Sequence, residues 1–178
     1  MSHAIAAPAQ LPVSDQRSDT DLTRARAAAE AVADPELPFL SIAEMGILRD
    51  VRLAADGVIE AVITPTYSGC PAMDMIRLDL ELALAKADVG PARVVSVLSP
   101  AWTTDWLTDT ARMKLLANGI APPEEPSGKR ALFTDATVGC PKCGSLRTRL
   151  VSRFSSTACK AQWSCLACLE PFEQFKCI

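Results

Sequence analysis

Thr64-Pro65-Thr66-Tyr67-Ser68-Gly69-Cys70-Pro71 is the stretch around which the first part of the chain is organised. Before it lie two β-branched runs, Ile47 to Ala55 and Val58 to Thr64, separated by Asp56-Gly57, the strongest short hairpin signal, so both read as antiparallel strands. After it, Pro71 to about Ala87 alternates Ile76, Leu78, Leu80, Leu82 and Leu84 with mostly polar residues, as a strand would. Propensity decides for a helix. The run is mainly Leu, Ala, Met, Glu, Asp and Lys with a single β-branched residue, and a proline opens it where helices tolerate one best. Most of this helix's circumference is expected to be buried. The octapeptide is therefore a strand-to-helix turn, in which Gly69 lets the backbone turn closely and Pro71 puts Cys70 at the helix N-cap. There the helix dipole and free backbone N–H groups favour a thiolate, and Thr64, Thr66 and Ser68 offer hydroxyl donors to the sulfur or to a ligand. From these residues alone, an inert cysteine filling a turn is the equal alternative.

Working outward, a helix starts at Asp19 or Asp21 and must stop before Pro35 and Pro38. Arg93 to Leu98 reads as a third strand and Asp105 to Asn118 as a third helix, with Gly119 as its C′ glycine. Residues 1–19, rich in Ala, Pro, Ser and Gln, read as a flexible tail. Residues 20–121 then form a small α/β domain, a mixed sheet of three or more strands packed by helices. Pro122, Pro123, Pro126 and Gly128 mark a linker over 122–130. Residues 131–178 form a second, cysteine-rich β module too small to build a sufficient core without a staple. The whole chain is α+β. The charge balance changes at the same boundary: residues 129–178 hold eight Lys or Arg against three Asp or Glu, whereas the chain carries −3.

Cys140-Pro141-Lys142-Cys143 and Cys165-Leu166-Ala167-Cys168 are two C-x-x-C turns, each able to put two thiolates on one metal. The 21 residues between them suit a strand out, Arg147 to Phe154, and one back, Ala161 to Ser164. Two symmetrical knuckles across a hairpin describe a zinc ribbon, with zinc as its staple, although four cysteines can also hold an iron–sulfur cluster. Cys159 and Cys177 are surplus to one such site and read as structural; a second soft-metal site at them is the reserve reading, which spacing does not support. The basic excess, with Phe154, Trp163, Phe172 and Phe175 as stacking groups, could bind nucleic acid, but a solvated or partner-docking face is the commoner meaning of such charges.

The single histidine, His3, excludes a Ser-His-Asp triad, a His-rich zinc hydrolase site and a carboxylate–histidine di-iron site. No basic n-region precedes an apolar stretch at the N-terminus, and no run approaches the roughly 20 apolar residues of a membrane span. A cytoplasmic, thiol-reducing setting is therefore expected, with no membrane partner. Two polar segments remain ambiguous by themselves. Asp34-Pro35-Glu36 could be a solvated turn, and Pro100-Ala101-Trp102-Thr103-Thr104-Asp105-Trp106 reads first as a helix entry capped by Thr103 or Thr104.

Taken together, Asp34-Pro35-Glu36, Ser41-Ile42-Ala43-Glu44-Met45-Gly46-Ile47, Thr64-Pro65-Thr66 with Ser68-Gly69-Cys70-Pro71, and the strand before Pro100-Ala101-Trp102 resemble the small α/β family associated with iron–sulfur cluster assembly. The resemblance covers about residues 20 to 125, and that family's reactive, cluster-related cysteine occupies the Cys70 position. Trp102 to Trp106, the Gly119-Ile120-Ala121-Pro122-Pro123 exit, Ser156-Thr157-Ala158-Cys159-Lys160-Ala161 and the ending Phe175-Lys176-Cys177-Ile178 narrow it further. With them, nearly all of the chain beyond residue 20 resembles the D-subunit family of bacterial phenylacetyl-CoA epoxidase systems, with no departure at Asp34, Glu36, Thr66, Cys70 or the four knuckle cysteines.

The resemblance implies a non-catalytic accessory subunit of aerobic phenylacetate degradation, whose di-iron oxygenase and flavin/ferredoxin reductase partners are other chains. It implies a maturation role in which the Cys70 thiolate, supported by Thr66, Asp34 and Glu36, transiently binds iron or a cluster. An oxygenase component, foremost the iron–sulfur reductase, would receive it while the ribbon docks that client. An electron-transfer subunit with a cluster on Cys140, Cys143, Cys165 and Cys168, a pure scaffold, and a homodimer bridged near Cys70 stay open as alternatives.

Overall fold

The computed structural model describes residues 13–67, 69–123 and 138–176. Ser68, Cys177, residues 1–12 of the expected tail and 124–130 of the expected linker lie outside the described residues. The elements are α1 (Val13–Glu30), β1 (Leu48–Leu53), β2 (Ile59–Ile63), α2 (Ala72–Lys86), β3 (Ala92–Ser96), a 3₁₀ turn (Thr104–Trp106), α3 (Asp109–Ala117) and β4 (Ile120–Ala121), then β5 (Thr148–Ser152), β6 (Lys160–Cys165) and β7 (Pro171–Phe175).

The first sheet has the order β1-β2-β3. Strands β1 and β2 pair antiparallel through the Asp56-Gly57 turn, where the Ala54 amide donates to the Val58 carbonyl at 2.9 Å and Gly57 takes φ +79°. β2 then pairs parallel with β3, and α2 makes the crossover between them. The central strand β2 is buried along its whole length. Its Glu60 carboxylate is balanced by Arg52 at 2.9 Å and Arg93 at 2.6 Å.

Three expectations about the helices need correction. α1 begins at Val13, earlier than Asp19, because good helix formers such as Gln16 and Arg17 extend a helix without the apolar periodicity the sequence reading required. α2 buries only the stripe Ala72, Ile76, Leu80 and Leu84, while Met75, Leu78 and Leu82 stay about half exposed, so most of its circumference is not covered. The third helix is two pieces. Thr103 caps the 3₁₀ turn, its hydroxyl accepting from the Asp105 amide at 2.9 Å, and Thr108 caps α3 by accepting from the Ala111 amide at 3.1 Å. Two caps five residues apart start two helices, with the buried Leu107 extended between them.

Gly46 is constrained twice over. Its φ is +70°, and a Cβ there would stand 2.6 Å from Trp106 Cβ and 2.8 Å from the Trp106 carbonyl oxygen. Gly46→Ala is expected to destabilise the protein by about 2–4 kcal/mol, from left-handed strain plus overpacking, read as a lower urea midpoint. An unchanged midpoint would mean that the Trp106 segment moves freely.

The second sheet, ordered β4-β7-β6-β5, crosses the boundary the sequence suggests. β4, at the end of the α/β part, pairs parallel with β7, Ile120 opposite Glu173 and Ala121 opposite Gln174. Neither β4 nor β7 was expected from the sequence. A small core of Ala121, Val138, Ala161, Trp163 and Phe172 forms beneath the knuckles. Phe175 and Cys159 instead join the larger core of the α/β part. There Phe175, fully buried, meets Trp102 edge-on at 6.2 Å between ring centroids, and Trp102 donates its Nε1–H to the Met45 carbonyl at 2.9 Å.

Candidate functional site

The two knuckles meet because β5 and β6 pair with Thr148 opposite Cys165, which returns the second C-x-x-C turn to the first. The first knuckle closes through Gly144, at φ +71°, whose amide donates to the Cys140 carbonyl at 2.8 Å. The Cys140 and Cys168 sulfurs are 3.8 Å apart, those of Cys143 and Cys165 are 3.6 Å apart, and all four lie within 4.8 Å of one another. A metal–sulfur bond of about 2.3 Å in a tetrahedron gives an edge of about 3.8 Å, so the four thiols fit a single ion. The Cys168 and Ala167 amides, each 3.4 Å from Cys165 Sγ, hold that thiol down to about 6.

Asp34 and Glu36 from one loop, and Thr66 and Cys70 from another, line one cavity of about 10 Å³. Asp34 is 5% exposed, and its Oδ1 accepts from the Glu36 and Leu37 amides, both at 2.8 Å. The turn anticipated for this segment is therefore real, but its Asp34 carboxylate is buried, while Pro35 is exposed and Glu36 partly so. Burial pushes the Asp34 carboxyl above its ordinary value against the pull of those amides. Burial, then the neighbouring Asp34 charge, raises Glu36. Cys70 stands one residue ahead of the N-cap, Pro71, rather than at it, and its carbonyl accepts from the Met73 amide at 3.2 Å. It is partly exposed. Thr66 is buried at the cavity, and Thr64, directly after β2, has a buried hydroxyl without a hydrogen-bond partner.

Two neighbours were not placed at this cavity by the sequence reading, which gave Tyr67 no role and took Cys159 as structural. Tyr67 packs its phenol beside Cys70, and burial followed by the charge of Cys70 pushes it up to about 12. Cys159, from the ribbon, lines the same cavity together with Phe175. It is 7% exposed, its thiol is pushed up by burial, and the Thr157 hydroxyl lies 2.9 Å from its sulfur. The β4–β7 pairing and the burial of Phe175 in the larger core bring the ribbon, and Cys159 with it, to this cavity.

Comparison with known proteins finds relatives for both parts of the chain. Residues 22–98 match the family described as iron–sulfur cluster assembly protein, and residues 124–176 match the PaaD zinc beta ribbon domain. A protein of Escherichia coli (strain K12), provisionally described as the D component of 1,2-phenylacetyl-CoA epoxidase, is 44% identical over 83% of this chain and 87% of its own length. The chain belongs to the phenylacetyl-CoA epoxidase D-subunit family. Outside that family, the Fe-S protein maturation auxiliary factor YitW of Bacillus subtilis (strain 168) is 35% identical over 49% of this chain and 86% of its own. A crystal structure of a DUF59 domain from Bacillus anthracis superposes with a TM-score of 0.50 at 26% identity, covering 57% of this chain and 96% of that one.

In this D-subunit family member the four-cysteine ribbon and the α/β domain share a sheet, which the two separate family matches do not convey. Of the four aromatic residues considered as stacking groups, Trp163, Phe172 and Phe175 are buried, and Phe154, which is exposed, has Lys176 Nζ 4.5 Å above its ring. Among the described residues no helix is long and apolar enough to cross a membrane.

Within the ribbon, Glu173 of β7 is bonded to Ser155, Ser156 and Lys160 on either side of Cys159. Burial opposes its charge, but Ser155, Lys160 and Ser156 hold the carboxyl down to about 2, with the Lys160 ammonium at 2.9 Å. A carboxyl depressed on folding contributes stability above its unfolded value, which is lost as pH falls through the folded one. Acidification from about pH 5 toward pH 2 is therefore expected to loosen β6 and β7, and Glu173→Gln to flatten that part of the stability–pH curve. Identical curves for the two proteins would remove Glu173 from this role.

Proposed function

We propose that this chain is an accessory, maturation subunit of a multicomponent phenylacetyl-CoA ring epoxidase, assisting delivery of iron or an iron–sulfur cluster to an oxygenase component through Cys70. The observation that carries the reading is the convergence of Cys70, Asp34, Glu36 and Thr66 on one cavity, with Cys70 partly exposed. A transfer site needs both features: a thiolate and carboxylates to hold a metal unit, and access for a receiving ligand. The names of the similar proteins, an epoxidase subunit and an Fe-S maturation factor, support the same assignment.

Cys140, Cys143, Cys165 and Cys168 would hold zinc as a structural ion. Zinc there supplies the cross-link that a β module of this size lacks. The sulfur separations support a single ion over a cluster, whose ligands reach to different iron atoms and spread farther apart. The ribbon then serves as the docking module for the client, with the iron–sulfur reductase as the foremost candidate among the other epoxidase subunits.

The test is to produce the oxygenase components with and without this chain and to measure iron and acid-labile sulfide in each purified component. The reading predicts a deficit in one component, foremost the reductase, when the chain is omitted. Full iron and sulfide in every component without it would overturn the reading.

A further inference from the structure

The basic excess of the ribbon is used neither by the four-cysteine site nor by the cavity at Cys70. Among the described residues the ribbon's carboxylates are already engaged, Glu170 by Lys142 at 2.8 Å and Glu173 by Lys160 at 2.9 Å. Arg147, Arg149 and Arg153 are exposed and left without one. They lie on or beside β5, the end strand of the second sheet, which pairs with β6 on one side and with no described strand on the other. Large apolar side chains stand out among the arginines: Leu146 is 65% exposed, Leu150 41% and Val151 57%. Charged side chains usually guard an edge strand against pairing, and exposed leucine and valine on the same strand work against that guard. The register sorts these residues by face. Leu150 stands opposite Trp163 and Arg149 opposite Ser164, so their side chains project from opposite faces of the sheet. Arg147 continues the alternation on the face of Arg149, its carbonyl accepting from the Leu166 amide at 2.7 Å.

We propose that the free edge of β5 docks an extended acidic segment of a partner protein, which adds a strand to this sheet. The inference builds on the docking role given to the ribbon and names the surface and the chemistry it selects. The segment's backbone would continue the ladder, its acidic residues would meet Arg147 and Arg149 on one face, and its alternate apolar residues would lie beside Leu150 on the other. Arginine suits this task because its planar guanidinium offers paired donors to a carboxylate. A second copy is a poor occupant, since β5 against β5 sets two arginine-rich edges together. Nucleic acid is a poor one too, having no peptide backbone with which to extend the ladder.

The experiment titrates the full, zinc-loaded chain with a synthetic peptide of about eight residues alternating glutamate and valine, long enough for one strand. A peptide alternating lysine and valine is the control, and backbone hydrogen exchange is followed in both titrations. The glutamate peptide is expected to bind and to slow exchange at the β5 amides, and Arg149→Glu to weaken binding by about tenfold or more. Retained zinc verifies that the variant folds. No binding, equal binding of the lysine peptide, or binding without protection of β5 overturns the proposal. So does tighter binding of a single-stranded oligonucleotide, or β5 protection that rises with protein concentration alone, which would assign the edge to a second copy. Capture of the purified epoxidase subunits separates this surface from the ribbon's docking role. A subunit held by the unsubstituted chain and released by Arg149→Glu supports both. Capture indifferent to Arg149→Glu overturns the β5 surface and leaves the docking role standing, whereas no capture, with the glutamate peptide bound, overturns the docking role and leaves the surface standing.

Discussion

Replacing Cys70 by alanine is expected to reduce phenylacetyl-CoA epoxidation by the assembled system to the level seen when the chain is omitted. The isolated variant should still melt within about 2–4 °C of the unsubstituted protein. The two halves of this result have different physical origins. Cys70 is partly exposed and lies ahead of α2 rather than inside it, so removing one sulfur leaves the Ile76, Leu80 and Leu84 stripe and the β2–β3 pairing untouched. Activity is another matter, because neither a carboxylate nor a hydroxyl at the cavity can replace a thiolate in holding a soft or borderline metal. Asp34→Asn should separate the roles further. Its Oδ1 can still accept from the Glu36 and Leu37 amides, so the turn survives while a negative group at the cavity is lost. A scaffold that only bridges oxygenase chains predicts the opposite for Cys70→Ala, namely normal turnover and normal co-purification.

The second large effect concerns the ribbon. Stripping its metal, or replacing Cys165 by serine, is expected to unfold β5 to β7 and to weaken the α/β part as well. Structural zinc in small thiolate sites contributes an apparent free energy of about 10–16 kcal/mol, comparable to the whole net stability of a domain. A ribbon hung on a free linker would unfold alone. Here β7 pairs with β4, and Phe175 is fully buried against Trp102 in the larger core. Losing that ring resembles truncating a buried phenylalanine, which costs about 3–5 kcal/mol. The urea midpoint of α1 to α3, followed by helical circular dichroism, should fall accordingly, and Trp102 should become exposed in fluorescence. A helical midpoint that ignores the metal would show that the two parts are energetically independent.

The sequence was most informative where the chemistry is local. Asp56-Gly57 marked its hairpin, the propensity of Ala72–Lys86 outweighed its strand-like alternation, and the two C-x-x-C turns identified their own site. It was least informative where contacts are long-range. β4 is two residues, too short to show a period, and its parallel pairing with β7 depends on the ribbon folding back onto the α/β part. For that reason the sequence read Cys159 as structural and did not place it at the cavity: Ser156-Thr157-Ala158-Cys159 contains no partner thiol at ligand spacing, and Asp34, Glu36 and Cys70, which line the same cavity, lie far upstream. The helix faces went wrong for a related reason. Apolar residues on α2 do not by themselves reveal how many neighbours are present to cover them, and only one stripe is covered. Asp34 and Glu36 were candidates through resemblance rather than through pattern, whereas the strand-to-helix turn at Gly69-Cys70-Pro71 raised Cys70 as a thiolate on equal terms with an inert cysteine, and the resemblance tipped that balance.

The central claim, that Cys70 carries metal in transit while the four ribbon cysteines hold a structural ion, is tested most directly by anaerobic purification of the intact protein and of Cys70→Ala. Zinc, iron and acid-labile sulfide are quantified in both, and a visible spectrum is recorded. The account predicts one zinc per chain in both proteins and substoichiometric iron that disappears in the variant. Stoichiometric iron and sulfide retained in Cys70→Ala, with absorption that bleaches on reduction, would place a redox cluster on Cys140, Cys143, Cys165 and Cys168 and contradict it.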